Sequence, residues 1–182
     1  MTPEIDVVTD PSFVSDLDSR PMDELRAVRS RCQALENSLS YVRRLIQGRF
    51  DIVGGELQRR RDGGDAGDTS DLIGRLPDIL AEGSRVPGTP GSVRPPHSLE
   101  PDTDVIAKLE VMLDEVIGAD RLGAATDLGD EELVDAMGGL QSLEDEVSTH
   151  RRSCQGVIDA VQAEVVRRYS SGEATVDGIL NS

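Results

Sequence analysis

Aromatic side chains are almost missing from this 182-residue chain: they make up 2% of it, and tryptophan is absent. A large globular core built on rings is therefore not expected. Cysteine is scarce as well. Cys32 and Cys154 are the only two, too few for a disulfide framework, and no Cys/His spacing has the pattern of a zinc site. No metal is expected. No stretch reaches the apolar length of a membrane span, and the N-terminal MTPEIDVVTDPSF is acidic and lacks the apolar run of a secretory leader. A reducing cytoplasm is the expected compartment, with no membrane contact. Positive charge is also in deficit. The formal net charge is -16, which argues against general nucleic-acid binding by phosphate neutralisation, so no direct DNA contact is expected.

The charge that is present is segregated. Residues 20–61 carry ten arginines against five acids, whereas residues 62–149 carry 21 acids against five bases. A basic helix thus sits inside an acidic protein. The acidic remainder either faces a basic partner or merely keeps a Gly/Pro-rich segment soluble.

Apolar spacing divides the chain. From Pro21 to Arg61, apolar residues recur at 25, 28, 32, 35, 39, 42, 46, 50, 53 and 57. This alternating three-four spacing is the seam of a coiled coil, with a stutter at Phe50. Asp23 and Glu24 suit the positive end of the helix dipole, Arg59–Arg61 the negative end, and Gly63-Gly64 supplies a stop. A second long seam runs through 133, 136, 140, 143, 147, 150, 154, 158, 161 and 165. Gly138-Gly139 lies within it and either breaks the helix or allows a close backbone approach. The expected organisation is a flexible acidic N-terminus over 1–20, a long helix over 21–61, and a Gly/Pro/Asp-rich flexible linker over 62–102. A short amphipathic helix over 103–118, a second long helix over 130–169 and a tail over 170–182 follow. A short helical turn is expected near Leu72–Leu80. Neither long helix can bury its stripe alone, so the expected fold is all-α: an intramolecular antiparallel coiled-coil hairpin with one or more short accessory helices.

The two long helices are copies. Shifted by 108 residues, they align without a gap, and 15 of 37 positions between 24 and 60 are identical. Apolar matches follow from a shared seam. Polar matches do not, and they form one pattern, Glu-x3-Ser-x2-Arg-x3-Gln-x3-Asp. The first copy is Glu36, Ser40, Arg43, Gln47 and Asp51; the second is Glu144, Ser148, Arg151, Gln155 and Asp159. Arg44/Arg152 and Gly48/Gly156 match too. At about 100° per residue the five side chains of a copy span an arc of about 80°, and each directly follows a seam residue. The motif is therefore a polar stripe beside the seam.

A solvated coiled-coil flank would favour Glu, Lys and Arg there. Ser and Gln in place of Lys suit hydrogen bonding to a shaped ligand. A carboxylate can accept from the N1–H and N2 edge of guanine, while arginine donates to O6 and N7 or pairs with phosphate. Inherited duplication with intrahelical pairs is the bland alternative. In an antiparallel register with Glu36 facing Asp159, the two copies form a pseudo-two-fold site centred on Arg43/Arg44 and Arg151/Arg152. A two-fold site suits a two-fold ligand such as cyclic di-GMP. The same register would hold Cys32 and Cys154 about nine residues apart, too far to bridge. His150 falls on the seam and His97 in the linker. No nucleophile-base-orienter set is visible, so an enzyme is not expected.

The doubled motif closely resembles the signature of the RsiG family, cyclic di-GMP-binding anti-sigma factors of sporulating actinobacteria. The resemblance implies that the ten motif residues bind cyclic di-GMP, two molecules per chain. It also implies that the ligand-bound chain, as a monomer, sequesters the flagellar-type sigma factor WhiG in a 1:1 complex and so holds back sporulation transcription. A coiled-coil interaction scaffold with no nucleotide ligand is the alternative.

Overall fold

The computed structural model describes residues 14–63 and 101–173, together with Ile5. Most of the expected linker, with the turn near Leu72–Leu80 and His97, lies outside the described residues, as do most of the acidic N-terminus and the end of the tail. Every regular element described is helical: α1 (Met22–Arg61), α2 (Thr103–Ile117), α3 (Ala119–Gly123) and α4 (Asp130–Ser171). The all-α hairpin expected from the spacing is what forms. Helices α1 and α4 pair antiparallel, so that Arg26 bonds Tyr169 at one end, Arg43 meets Glu144 midway and Arg60 meets Asp130 at the other. At about 1.5 Å per residue, each helix is a rod of roughly 60 Å.

Their shared seam is the core. From α1 it takes Leu25, Cys32, Leu35, Leu39, Val42, Ile46 and Val53. From α4 it takes Leu133, Ala136, Leu140, Leu143, Val147, Cys154, Val157 and Val161. The seam of α4 keeps its three-four alternation through Val157, where the sequence reading stepped to Ile158; the latter is half-buried. Gly138-Gly139 does not break α4, which is continuous from Asp130 to Ser171. Gly139 serves the second purpose foreseen, a close approach. A Cβ there would come within 2.7 Å of Val116 Cγ1.

The register differs from the one expected. Glu36 does not face Asp159. It accepts instead from Arg151 and Gln155, and Arg43 reaches Glu144 and Ser148. Opposite charges decide this: facing Glu36 with Asp159 would set carboxylate against carboxylate, whereas the observed slide sets each Glu beside an arginine. The centre of the pseudo-two-fold moves accordingly from Arg43/Arg44 to the level of Ser40–Tyr41 and Ser148–Thr149. The cysteines move as well. Rather than lying nine residues apart, Cys32 and Cys154 come to nearly the same level of the seam, both buried and both free. Burial pushes the Cys32 thiol up to about 11, and burial with Cys32 nearby pushes Cys154 up to about 12. Both are therefore protonated and unreactive at neutral pH.

Helix α2 docks along one side of the hairpin. It buries Val105, Leu109, Leu113 and Ile117, the single apolar face that the sequence could not cover by itself. Asp102 caps it, accepting from the backbone N–H groups of Asp104 and Val105. The same residue is tied to α1, since its N–H donates to the buried Ser38 hydroxyl at 2.8 Å. Arg49 closes the far end by donating to the carbonyls of Leu113 and Ile117 and pairing with Asp114. A cation among the last carbonyls complements the helix dipole. Ser38 and Arg49 share one side of α1, about 180° around the helix from the motif stripe. Helix α2 therefore covers one flank of the seam and, among the described residues, leaves the motif flank uncovered.

Both ends of the hairpin are held by one device used twice. Glu56, fully buried, accepts from Arg59 and Arg60, and Arg60 also donates to the carbonyls of Ala125, Thr126 and Leu128 just before α4. Glu164 accepts from Arg167 and Arg168, and Arg168 donates to the carbonyls of Leu17, Asp18 and Arg20 just before α1. Every residue of the first clamp maps onto the second by the same shift of 108. The duplication thus includes the chain entering each helix.

Candidate ligand-binding stripe

Each motif copy lies on one continuous helix, and the hairpin brings the two copies together on the uncovered flank. Six of the ten residues form two networks related by the pseudo-two-fold. In one, Ser40 Oγ donates to Glu36 Oε1 at 2.8 Å, and Arg151 Nη1 lies 3.4 Å from the same oxygen. In the other, Ser148 Oγ donates to Glu144 Oε1 at 2.9 Å, and Arg43 Nε donates to it at 2.7 Å. The shift of 108 converts one set of partners into the other. Gln155 adds a contact of 3.4 Å to Glu36. Gln47, Asp51 and Asp159 lie further out along the rod; Asp51 and Asp159 are exposed. The structure thus gathers the Glu, Ser and Arg of each copy at the centre, with the Gln and Asp positions toward the ends.

The electrostatics are those of a balanced site. Burial alone would raise the Glu144 carboxyl, but hydrogen bonds from Ser148 and Arg43 outweigh it and hold the group below the ordinary carboxylate range. Glu36 and Glu144 each present acceptor oxygens beside an arginine of the other copy. Arg44 and Arg152 stand exposed beside the stripe. Gly48 and Gly156, the matched glycines, have nothing within 4 Å of where a Cβ would be. No packing among the described residues requires them. They keep an open lane next to the stripe, where a bulky group would find the backbone within reach. No group of His, Cys, Asp and Glu among the described residues has the arrangement to hold a metal ion, and no described helix is long and apolar enough to cross a membrane.

Reading the sequence for the stripe alone passed over the clamps. Their signal was in the same alignment: Glu56/Glu164, Arg59/Arg167 and Arg60/Arg168 are identical pairs. The stripe and the clamps use the same chemistry in different settings. Glu56 is fully buried and Arg168 is 8% exposed, whereas the stripe pairs are open to solvent on one side.

A model of the RsiG-like family matches residues 11–80 and 119–181. The two matched segments contain both clamps, both motif copies and all of α1 and α4. No curated protein matches the chain.

Proposed function

The chain belongs to the RsiG-like family, whose members are regulators of the anti-sigma-factor type, and on that premise we propose that it captures a sigma factor when cyclic di-GMP is bound. The observation that carries this reading is the pair of motif copies on one flank, where the Glu, Ser and Arg of each copy meet their counterparts about a pseudo-two-fold. Two two-fold dinucleotides would lie along the stripe, two per chain, their guanine edges at the glutamates and their phosphates toward Arg43, Arg44, Arg151 and Arg152. Glu36, Ser40, Arg43, Gln47 and Asp51 with Glu144, Ser148, Arg151, Gln155 and Asp159 are the proposed contacts. The partner is a flagellar-type sigma factor of the WhiG kind, held 1:1 by a monomer in the cytoplasm to hold back sporulation transcription.

We read the stripe as one that binds without catalysing, since its serine–glutamate pairs lie on an open flank rather than in an enclosed pocket. Control is by linkage. A ligand that fills the space between two proteins strengthens the capture of the sigma factor, and the sigma factor strengthens ligand binding by the same factor. A ligand-free scaffold is the competing reading, and the mutual pairing of Arg43 and Glu144 favours it. Titration calorimetry separates the two. Cyclic di-GMP is expected to bind with cyclic di-AMP inert, more tightly when the sigma factor is present, and not at all after Arg43→Ala with Arg151→Ala. Undiminished binding by that double variant would sink the assignment.

A further inference from the structure

The two halves of the stripe share a motif but not a state. Arg43 Nε is saturated, donating to Glu144 at 2.7 Å and lying 3.0 Å from the Ser148 hydroxyl. Its mate Arg151 touches Glu36 only through Nη1 at 3.4 Å, and its Nε is buried with no hydrogen-bond partner. The difference continues beyond the motif. Each end of the stripe is completed by the residue seven positions before one copy begins and the residue three positions after the other ends. At one end these are Met137 and Gly54, which lie together: a Cβ on Gly54 would be 3.7 Å from Met137 Cε. Their mates at the other end are Arg29 and Gln162, placed across from each other by the same register. Arg29 Nε and Gln162 Oε1 are both buried and both without a partner. Three of the four such atoms among the described residues, Arg29 Nε, Arg151 Nε and Gln162 Oε1, therefore fall on one half of the flank; the fourth is His150 Nδ1 on the seam. Duplication made the ends equal, and divergence has made one apolar and the other a donor beside an acceptor.

A buried donor or acceptor without a partner is a standing penalty, removed when a complementary group arrives. We propose that Arg29 and Gln162 form a polar subsite outside the motif, and that the half built on Glu36, Arg151, Arg29 and Gln162 fills first. The subsite suits a base edge that offers an acceptor next to a donor, as guanine does with O6 and N1–H. The other half fills second, because its arginine must first be drawn from Glu144 and its end offers no polar group. This inference rests on cyclic di-GMP as the ligand.

The test uses the full chain and cyclic di-GMP. Calorimetry of the wild type is expected to resolve two unequal binding events. Arg29→Met with Gln162→Ala, which gives the polar end the chemistry of its mate, should weaken the first event by about tenfold or more and leave the second unchanged. Two equal events in the wild type, or equal weakening of both in the variant, overturn the proposal. A readout that needs no variant is the arginine Nε–H NMR signals. Those of Arg29 and Arg151 should move before that of Arg43 at substoichiometric ligand; simultaneous movement of all three refutes the order. Absence of any binding by the wild type removes the ligand reading and this inference together, whereas binding without order removes only the inference.

Discussion

Replacing both motif arginines, Arg43→Ala with Arg151→Ala, should abolish ligand binding while leaving the fold nearly as stable as before. The magnitude follows from exposure. Arg43 and Glu144 are 2.7 Å apart with side chains 35% and 20% exposed, and Arg151 and Glu36 are 3.4 Å apart with 26% and 19%. Pairs this open contribute about 0.2–1 kcal/mol each, because water screens the attraction and two long side chains lose rotamer freedom. The loss of both is then below about 2 kcal/mol, including the arginine stems that cover the seam edge. Urea unfolding followed by far-UV circular dichroism measures this, with an unchanged m-value expected since the surface exposed on unfolding is the same. The same experiment with ligand reads the site. Cyclic di-GMP at a hundredfold excess over its dissociation constant should add about 2.7 kcal/mol per site to the wild type and nothing to the variant. A stability loss of about 4 kcal/mol or more in the variant would refute the reasoning. The stripe would then be a structural staple, and the loss of binding a consequence of unfolding.

The clamps should behave in the opposite way. Arg60→Met removes one of two cations from a fully buried carboxylate and strands three carbonyls before α4; unfolding in urea should report a loss of about 3–5 kcal/mol with ligand affinity intact. Acid should act through the same groups. The hydrogen bond from Arg59 holds the Glu56 carboxyl below its ordinary value, and the bonds from Arg167 and Arg168 bring Glu164 from 4.5 down to about 2. These groups have the lower pKa in the folded state, so the unfolded chain takes up protons first. Their stabilisation is complete above about pH 4.5 and is lost as the pH falls toward 2. Thermal melts between those limits should show it, and Glu164→Gln should flatten that acid dependence; an unchanged slope would remove Glu164 from the account.

Much of this protein is local and so could be read along the chain. A seam of three-four spacing specifies a helix and its buried side, because both depend only on residues within a turn or two. The motif arc follows from the same rotation, and the duplication follows from identity alone. Which of its two foreseen purposes Gly139 serves could not be read, since its neighbour Val116 arrives from α2. Nor could the burial of Ser38, whose hydroxyl matters only once Asp102 comes to rest on it.

The stripe is thus a property of the sequence as a list of residues on one side of each helix, and a property of the tertiary structure as a site. Rotation per residue decided which side chains share a flank. It could not decide how far α4 slides along α1, because a regular apolar seam fits nearly as well one step along as in place. That choice fell to charge and to the ends: each glutamate sought an arginine, and Arg60 and Arg168 fixed the entry of each helix. The slide brought Cys32 level with Cys154, moved the centre of the site to Ser40 and Ser148, and left Arg29 and Gln162 facing each other. The uncovered flank was decided by tertiary structure as well, since only the docking of α2 through Ser38 and Arg49 distinguishes the covered side from the open one.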